Sequence, residues 1–177
     1  MKKITDKDFF TRTSEKVARD LLGKFICSRK GDMKKYQIIV TEAYYYDEID
    51  DNGKKICYGA GKTKQEAAKL VSAPLFEKPG TWCIYGGQLI ISVTDDVNSD
   101  NVLIKEVKDE EGNIYTPHKM AMELRLYKKY GICNCHGKFS LSDDADLYLT
   151  NGVEVENIKK CDRKGIKRRQ KRGFKCG

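Results

Sequence analysis

The sequence of 177 residues contains no long apolar run, and this absence excludes several classes of protein. No stretch approaches the roughly 20 apolar residues that a membrane-spanning helix needs. The first six residues lead into charged side chains rather than into the apolar centre of a signal peptide. The sequence therefore predicts a cytoplasmic protein.

The chain also lacks the short motifs of several enzyme classes. It has no phosphate-binding Gly loop, no dinucleotide fingerprint and no Ser-His-Asp order. Its seven cysteines are irregularly spaced and odd in number, so we expect reduced thiols rather than the disulfides of an exported protein. Cys133-Asn134-Cys135-His136 is not a Cys-x-x-Cys pair and has no second pair at a suitable distance. We therefore expect neither a metal nor another cofactor.

Positive charge is what the chain has in excess. Its 34 Lys and Arg residues and 26 Asp and Glu residues give a formal net charge of +8. Such a balance favours an anionic partner, and nucleic acid is the commonest one. The excess is concentrated in residues 163–175, which would either neutralise phosphates or form a solvated, partly disordered tail.

The pattern of apolar residues predicts an α+β fold, in which an antiparallel β-sheet with a β-hairpin carries flanking helices. Helices are predicted at residues 13–22 and 63–70, and from Pro117 to a stop at Gly131. Strands are predicted at residues 25–27, 36–40, 82–85, 89–93, 102–104 and 147–149, with 82–85 and 89–93 forming the hairpin. We expect a single compact domain over residues 1–177 with a basic C-terminal segment at 163–177.

A carboxylate follows the β-branched run of the second predicted strand. Ile38, Ile39 and Val40 form this run, and Glu42 comes two residues later. Glu is rarely buried without a partner. Aromatic neighbours, beginning with Tyr44, would exclude water around it, which suits a general base. The alternative is a charge at the end of a strand that faces solvent.

A cluster of tyrosines accompanies this carboxylate. Tyr44, Tyr45 and Tyr46 are consecutive, and Tyr58 and Tyr85 lie in segments that could fold back nearby. Tyr rings can sandwich a planar base while a carboxylate activates water for attack on a sugar carbon. Tyr clusters also occur as ordinary core and surface aromatics, so the cluster by itself leaves both interpretations open.

Taken together, these features resemble the alkyladenine (3-methyladenine) DNA glycosylase family. The match lies in segments that occur in the family's order, namely Asp8-Phe-Phe10, Val17-Ala-Arg-Asp-Leu-Leu-Gly-Lys24, Ile39-Val-Thr-Glu-Ala-Tyr44, Phe76-Glu-Lys-Pro-Gly-Thr81, Val102-Leu-Ile-Lys105 and, more weakly, Arg163-Lys-Gly-Ile166. The Thr-Glu-Ala-Tyr motif on a strand is quite specific, whereas the region after Val107 matches only loosely.

The resemblance implies an antiparallel β-sheet whose protruding β-hairpin is presented to the minor groove. It also implies a monofunctional enzyme that flips a damaged purine, alkylated or deaminated, out of duplex DNA and hydrolyses its N-glycosidic bond. Glu42 would activate the water, with Lys105 where the family has an Arg beside that water. Tyr44 would stack on the flipped base. The other implied positions are Cys57, Tyr58, Tyr85 and Ile166 in the base pocket, and Arg163, Lys164, Lys167, Arg168 and Arg169 against DNA. The family and the size favour a monomer, which would be nucleoid-associated if bacterial.

Several departures from the family pattern indicate a divergent member. The family has a His in the loop after the Glu motif, where this chain has Cys57 and Tyr58. The hairpin is shorter, so Tyr85 would be either the wedge in the duplex or a wall of the pocket. The Asn usual on the return strand has no clear counterpart, although Asp95 is near. Lys105 in place of Arg keeps the charge and loses the fork of donors.

Two other functions are left open by the residues alone. The first is a non-catalytic nucleic-acid-binding protein on the same fold, which the missing His and the shorter hairpin favour and the Thr-Glu-Ala-Tyr motif opposes. The second is a hydrolase acting on another nucleoside substrate, either free or in RNA.

Overall fold

A computed structural model of the chain describes residue 4 and residues 7–28, 34–45, 53, 78–85, 88–93, 100–126, 136–139, 147–163 and 172–177. Within these ranges, ten β-strands form one antiparallel sheet, accompanied by two α-helices and a short 3₁₀ helix. The predicted α+β class with an antiparallel sheet is therefore confirmed.

The helices are the 3₁₀ helix Lys7–Phe10, α1 (Ser14–Leu21) and α2 (Pro117–Glu123). The strands are β1 (Phe25–Ser28), β2 (Lys35–Tyr44), β3 (Thr81–Tyr85), β4 (Gln88–Val93), β5 (Asp100–Lys108), β6 (Ile114–Tyr115), β7 (His136–Lys138), β8 (Leu147–Thr150), β9 (Ile158–Cys161) and β10 (Gly173–Cys176).

Strand β2 lies at the centre of the sheet. The main order of strands is β7-β3-β4-β5-β2-β1-β8, and β6 adds to β5. One edge of β2 pairs with β5 along most of its length. Its other edge pairs first with β1 and then, near Glu42, with β10, which in turn pairs with β9. The C-terminal strand β10 therefore lies directly beside Glu42.

The pairing of β2 with β5 contains two irregularities. Ile38 pairs with Val107 and Val40 with Glu106, which leaves Ile39 as an extra residue on β2. Between Val40 and the next pair, Lys105 is the extra residue on β5. Such bulges bend a strand and redirect a side chain.

The main core lies on the face of the sheet that carries α1. Val17, Ala18 and Leu21 repeat at helical spacing, and all three are fully buried against the sheet. The buried hydroxyl of Thr41 donates to the carbonyl of Ala18 at 2.8 Å, which joins β2 to the helix. The helix thereby fixes the position of β2, on which the candidate site depends.

The predicted helices are confirmed in part. Helix α1 lies within the predicted range and ends before Gly23, which has a φ of 77°. Thr116 caps α2, because its side chain accepts from the backbone of Lys119. A continuous helix to Gly131 is wrong, since α2 ends at Glu123 and Arg125 takes a left-handed φ of 56°. Residues 127–131 lie outside the described residues. The helix predicted at 63–70 lies outside the described residues.

The predicted strands and the hairpin formed by β3 and β4 are all present, and β2 runs further than expected, to Tyr44. Strands β6, β7, β9 and β10 were not predicted. For the residues of β10, the alternative of a solvated tail is wrong, because Gly173–Cys176 pairs with β2 on one edge and β9 on the other. Residues 164–171 of the basic segment lie outside the described residues. The hydrogen-bonding groups of this segment are therefore committed to the sheet.

Candidate active site

Glu42 belongs to the face of the sheet opposite the main core. Residues directly opposite each other on neighbouring strands share a face. One such row crosses six strands and consists of Cys83, Ile90, Leu103, Glu42, Gly173 and Cys161. Tyr44 is two residues along β2 and shares this face, where it forms a second buried cluster with Cys83, Ile90 and Leu103. The carboxylate thus lies beside an apolar patch.

The carboxylate of Glu42 is buried, with only 3% of the residue exposed. The alternative interpretation of Glu42 as a solvent-facing charge is therefore wrong. The hydroxyl of Tyr44 donates to Glu42 Oε2 at 2.9 Å, and Lys105 Nζ lies 3.7 Å from the same oxygen. A buried carboxylate needs such partners, since an isolated charge in the interior is very unfavourable.

The bulge on β5 explains how Lys105 comes close to Glu42. Lys105 is the extra residue in that strand and has no residue directly opposite on β2. Its side chain is only 16% exposed and extends to the carboxylate. Lys105, which the family resemblance places beside the catalytic water, is therefore in ion-pair contact with Glu42.

Two arginines hold the end of β2. Arg163 is 3% exposed, its Nη1 donates to the carbonyl oxygen of Ala43 at 3.0 Å, and its guanidinium carbon lies 4.4 Å from the centre of the Tyr44 ring. Arg172 stacks in the same way over Tyr45, also at 4.4 Å. Its backbone carbonyl accepts from the N–H of Ala43 at 2.9 Å. Both polar groups of the Ala43 backbone are thus bonded to these arginines.

A row of buried polar residues runs beside Tyr44 on the same face. Asn101 pairs with Tyr44 and with Ser92, and all three are at most 3% exposed. Ligand sites combine apolar walls with a few fixed polar groups, so Ser92 and Asn101 are candidate base-recognition residues. The sequence analysis missed both. The available signal was a polar residue within or beside an apolar strand run, as in Leu89-Ile90-Ile91-Ser92-Val93.

Cys161 shares the row with Glu42 but has the properties of a structural thiol. Burial raises the pKa of the Cys161 thiol, and the Glu42 carboxylate adds to this rise while Lys175 opposes it. Nucleophilic cysteines have a lowered pKa, so Cys161 is a poor nucleophile. Gly173 lies between the two residues, and a Cβ there would be 2.9 Å from both the carbonyl oxygen and the Sγ of Cys161.

The structure brings together Glu42, Lys105 and Tyr44, and it places Arg163 on the ring of Tyr44 rather than at the surface. Tyr85 is the last residue of β3. The side chain of Tyr85 and the other predicted site positions lie outside the described residues, namely Cys57, Tyr58, Lys164, Ile166, Lys167, Arg168 and Arg169. Cys133 and Cys135, which were considered as metal ligands in the sequence, also lie outside the described residues. Among the described residues, no group of three His, Cys, Asp or Glu side chains could hold a metal ion.

A cleft of about 810 Å³ lies elsewhere, between α1 and the segment that follows β8. Its walls include Phe9, Arg12 and Val153, but neither Glu42 nor Tyr44. Arg12 is already paired with Asp20 at 2.6 Å on the wall of this cleft. Volume alone therefore does not locate the candidate site, which is defined by the buried carboxylate and its partners.

The fold and the site define a class of α+β proteins in which a buried carboxylate lies beside an aromatic ring and a cation. The family model for methylpurine-DNA glycosylase (MPG) matches residues 8–176. The chain belongs to this family, and the family predicted from the sequence is confirmed.

Two relatives illustrate the degree of similarity. "Putative 3-methyladenine DNA glycosylase" of Prosthecochloris aestuarii (strain DSM 271 / SK 413) is 26% identical over 168 residues, which cover 84% of this chain and 74% of the relative. The protein of the same description from Clostridium botulinum (strain Langeland / NCTC 10281 / Type F) is 29% identical over 171 residues, covering 86% and 79%.

Membership of this family supports a DNA glycosylase function in DNA repair, with DNA as the substrate. In the part of the chain that the structure describes, none of the helices has the length and apolar character needed to cross a membrane.

Proposed function

We propose that this protein is a monofunctional DNA glycosylase that removes a damaged purine, alkylated or deaminated, from duplex DNA. The purine is flipped out of the helix, and a water activated by Glu42 hydrolyses its N-glycosidic bond. The observation that carries the proposal is the buried carboxylate of Glu42, which is held by the Tyr44 hydroxyl and Lys105 in a member of a DNA glycosylase family.

The geometry suits general-base catalysis. Both contacts fall on Oε2 of Glu42, so the carboxylate is fixed in rotation within a site from which bulk water is excluded. In the reaction, the water oxygen bonds to the sugar carbon, the carboxylate takes the water's proton, and the base leaves with the electrons of the broken bond. The ammonium of Lys105 lies 3.7 Å from Oε2 and supplies the opposite charge that a buried carboxylate needs.

Tyr44 supports recognition of a flipped base. The Tyr44 hydroxyl donates to Glu42, so a base stacked on the Tyr44 ring would have its glycosidic bond close to the carboxylate. A damaged purine costs least to unpair, and an alkylated purine carries a positive charge that makes it a good leaving group. These two properties favour damaged purines over intact ones. We further propose that the enzyme acts as a monomer.

The test is single-turnover base release from duplex oligonucleotides that carry an alkylated adenine or guanine, hypoxanthine or ethenoadenine. We expect wild-type protein to release at least one of these bases, leaving an abasic site. Glu42→Gln should reduce that rate by about 100-fold or more, because it removes the general base and keeps the shape. Its affinity for the same duplex should stay within about twofold of wild type, since Glu42 is buried.

Glu106→Gln is a matched control, because Glu106 lies on the neighbouring strand and pairs with Val40 rather than with Glu42. This variant should release the base at the wild-type rate. Binding without release from every duplex would refute catalysis and leave the non-catalytic binding function. Release from free nucleosides or RNA alone would refute DNA as the substrate.

A further inference from the structure

The backbone of Ala43 connects Glu42 to Tyr44, and two residues distant in sequence hold it in place. Arg163, 120 residues away, donates to the Ala43 carbonyl at 3.0 Å. Arg172 accepts from the Ala43 N–H at 2.9 Å through its own backbone. The peptide units on either side of Ala43 are therefore fixed relative to the strands that follow β8.

Arg163 also contacts the ring of Tyr44, and this contact leads to the carboxylate. The guanidinium carbon lies 4.4 Å from the ring centre, within the distance at which a cation is attracted to an aromatic face. The hydroxyl of the same ring donates to Glu42 Oε2 at 2.9 Å. Arg163, Tyr44 and Glu42 thus form a continuous chain of contacts within a buried site.

We infer that Arg163 is a positioning residue of the glycosylase reaction, an inference that rests on the function proposed above. Arg163 holds the Tyr44 ring on one face and the Ala43 carbonyl at its side. These two contacts fix the Tyr44 hydroxyl on Glu42, and the hydroxyl fixes the carboxylate that activates water. A flipped base stacks on the opposite face of the Tyr44 ring.

This role replaces the contact with DNA predicted for Arg163 from the sequence. Only 3% of the residue is exposed, so it presents almost no surface to a phosphate. Arg is suited to the positioning role because its flat guanidinium stacks on a ring and donates in its own plane at the same time. A Lys would keep the positive charge but lose the stacking and the second donor direction.

Arg172 provides a matched control. It stacks on Tyr45 at the same 4.4 Å, one residue further along the chain, and it is paired with Glu15 at 3.6 Å. Tyr45 immediately follows β2. Its ring therefore makes the same kind of contact with an arginine, but the ring that is bonded to Glu42 is that of Tyr44. Arg172 bonds to Ala43 only through its backbone carbonyl, which a Lys at this position keeps. Arg172→Lys therefore alters an equivalent side-chain pair without touching Ala43 or the carboxylate.

The experiment compares wild type, Arg163→Lys, Arg172→Lys, Tyr44→Phe and the double variant of Arg163→Lys with Tyr44→Phe. Each is measured for its single-turnover rate at saturating enzyme, its affinity for the damaged duplex, the salt dependence of that affinity, and thermal unfolding. We expect Arg163→Lys to lower the saturating rate about tenfold or more. Its affinity and salt dependence should remain unchanged. Arg172→Lys should stay within about twofold of wild type in rate, affinity and salt dependence.

The double variant tests whether Arg163 acts through the Tyr44 hydroxyl. Tyr44→Phe keeps the ring and removes the donor to Glu42. If Arg163 acts through that donor, the rate of the double variant should lie within about twofold of the rate of the slower single variant. If Arg163→Lys fails to unfold cooperatively, Tyr44→Phe still tests the inference at the hydrogen bond to Glu42 through which Arg163 acts, because it should lose rate without losing affinity.

Three results would overturn the inference while leaving the proposed function intact. The first is a wild-type rate for Arg163→Lys or for Tyr44→Phe, and the second is multiplicative loss of rate in the double variant. The third is a loss in Arg163→Lys that is confined to affinity and its salt dependence, which would identify Arg163 as a phosphate contact. Wild-type protein that releases no base would overturn the proposed function and the inference together.

Discussion

At the scale of single residues, the polar side chains at the end of β2 are buried because each has a partner. Tyr44 donates to Glu42, Lys105 is paired with Glu42, and Arg163 covers Tyr44. Each charge in this set would be unfavourable alone in the interior. Removal of one member therefore affects the others, and single substitutions in the set are not expected to be additive.

Close contact between two glycines fixes the turn after α1 against the segment after β8. The carbonyl of Gly23 accepts from the N–H of Val153 at 3.1 Å. A Cβ at Gly152 would overlap the carbonyl oxygen of Gly23 and lie 2.7 Å from the Cα of Lys24. Backbone atoms cannot move away as a flexible side chain can, so only glycine fits at position 152 without a shift of the chain.

We predict that Gly152→Ala lowers the free energy of unfolding by about 2–3 kcal/mol, because β1 and the segment after β8 must separate. Urea unfolding followed by circular dichroism measures this change. Gly112→Ala is the comparison, since a Cβ at Gly112 meets nothing within 4 Å and only its φ of 91° is unfavourable. It should cost about 1 kcal/mol. Equal losses for both variants would contradict the importance of the glycine contact.

The roles of single residues were predicted unevenly. Glu42 and Tyr44 share a face because side chains two apart on a strand point the same way, and their spacing was visible in the sequence. Lys105 was placed through the family resemblance. The contacts of Arg163 with β2 could not be predicted from local pattern, because they join residues about 120 positions apart and depend on where β9 ends.

At the scale of elements, the start of β2 is joined to α2 by a small polar cluster. Lys34 and Tyr36 both donate to Glu123 Oε2, at 3.0 Å and 3.2 Å. The hydrogen bond from Lys34, followed by the one from Tyr36, holds the pKa of the Glu123 carboxyl below its ordinary value, against the opposing effect of desolvation. The ionised form of Glu123 thus stabilises the contact between strand and helix.

We predict a dependence on pH with a defined sign. Because the pKa of Glu123 is lower in the folded protein, its contribution to stability is present above the ordinary value of 4.5 and is lost as the pH falls through the lowered pKa. Glu123→Gln should lower the melting temperature at neutral pH by about 1–2 °C, a small effect because the pair is partly exposed. At about pH 3 the variant and wild type should melt together.

Thermal unfolding at several pH values measures this difference. Glu156→Gln is the control, because Glu156 is an exposed residue outside this cluster. It should melt like wild type throughout the range. A difference between Glu123→Gln and wild type that grows as the pH falls would have the wrong sign and would contradict the assigned role.

Element prediction succeeded where apolar patterns were strong. Helix α1 and the strands of the hairpin follow from periodicity and from turn residues. Strands β9 and β10 were missed because both are short and contain Lys residues, and because β9 has no buried position while β10 has only Gly173 and Phe174. Their pairing with β2 and with each other is a long-range contact, which overrides weak local preference.

At the scale of the whole molecule, the net charge of +8 is the property most relevant to DNA. Contacts between basic side chains and phosphates release counterions, so affinity for duplex falls as salt rises. The charge says nothing about which base is recognised, because phosphate contacts are the same for every sequence. Under the proposed function, selectivity for a damaged purine is therefore expected from the site around Glu42 rather than from the surface.

We predict that affinity for an undamaged duplex falls at least about tenfold between roughly 50 mM and 200 mM salt. Fluorescence anisotropy with a labelled oligonucleotide measures it. Glu42→Gln should show the same slope, because the replaced carboxylate is buried. An affinity that is independent of salt would contradict binding through the basic surface.

The sequence by itself determined the α+β class, the family, and the placement of Glu42 and Tyr44 on one face of a strand. These depend on local spacing and on motifs that are contiguous in the chain. Only the tertiary structure decided that Glu42 is buried, that the bulge on β5 brings Lys105 to it, and that Arg163 lies on Tyr44. These features arise from the pairing of β2 with β5 and β10, whose residues are far apart in sequence, so no local pattern specifies them.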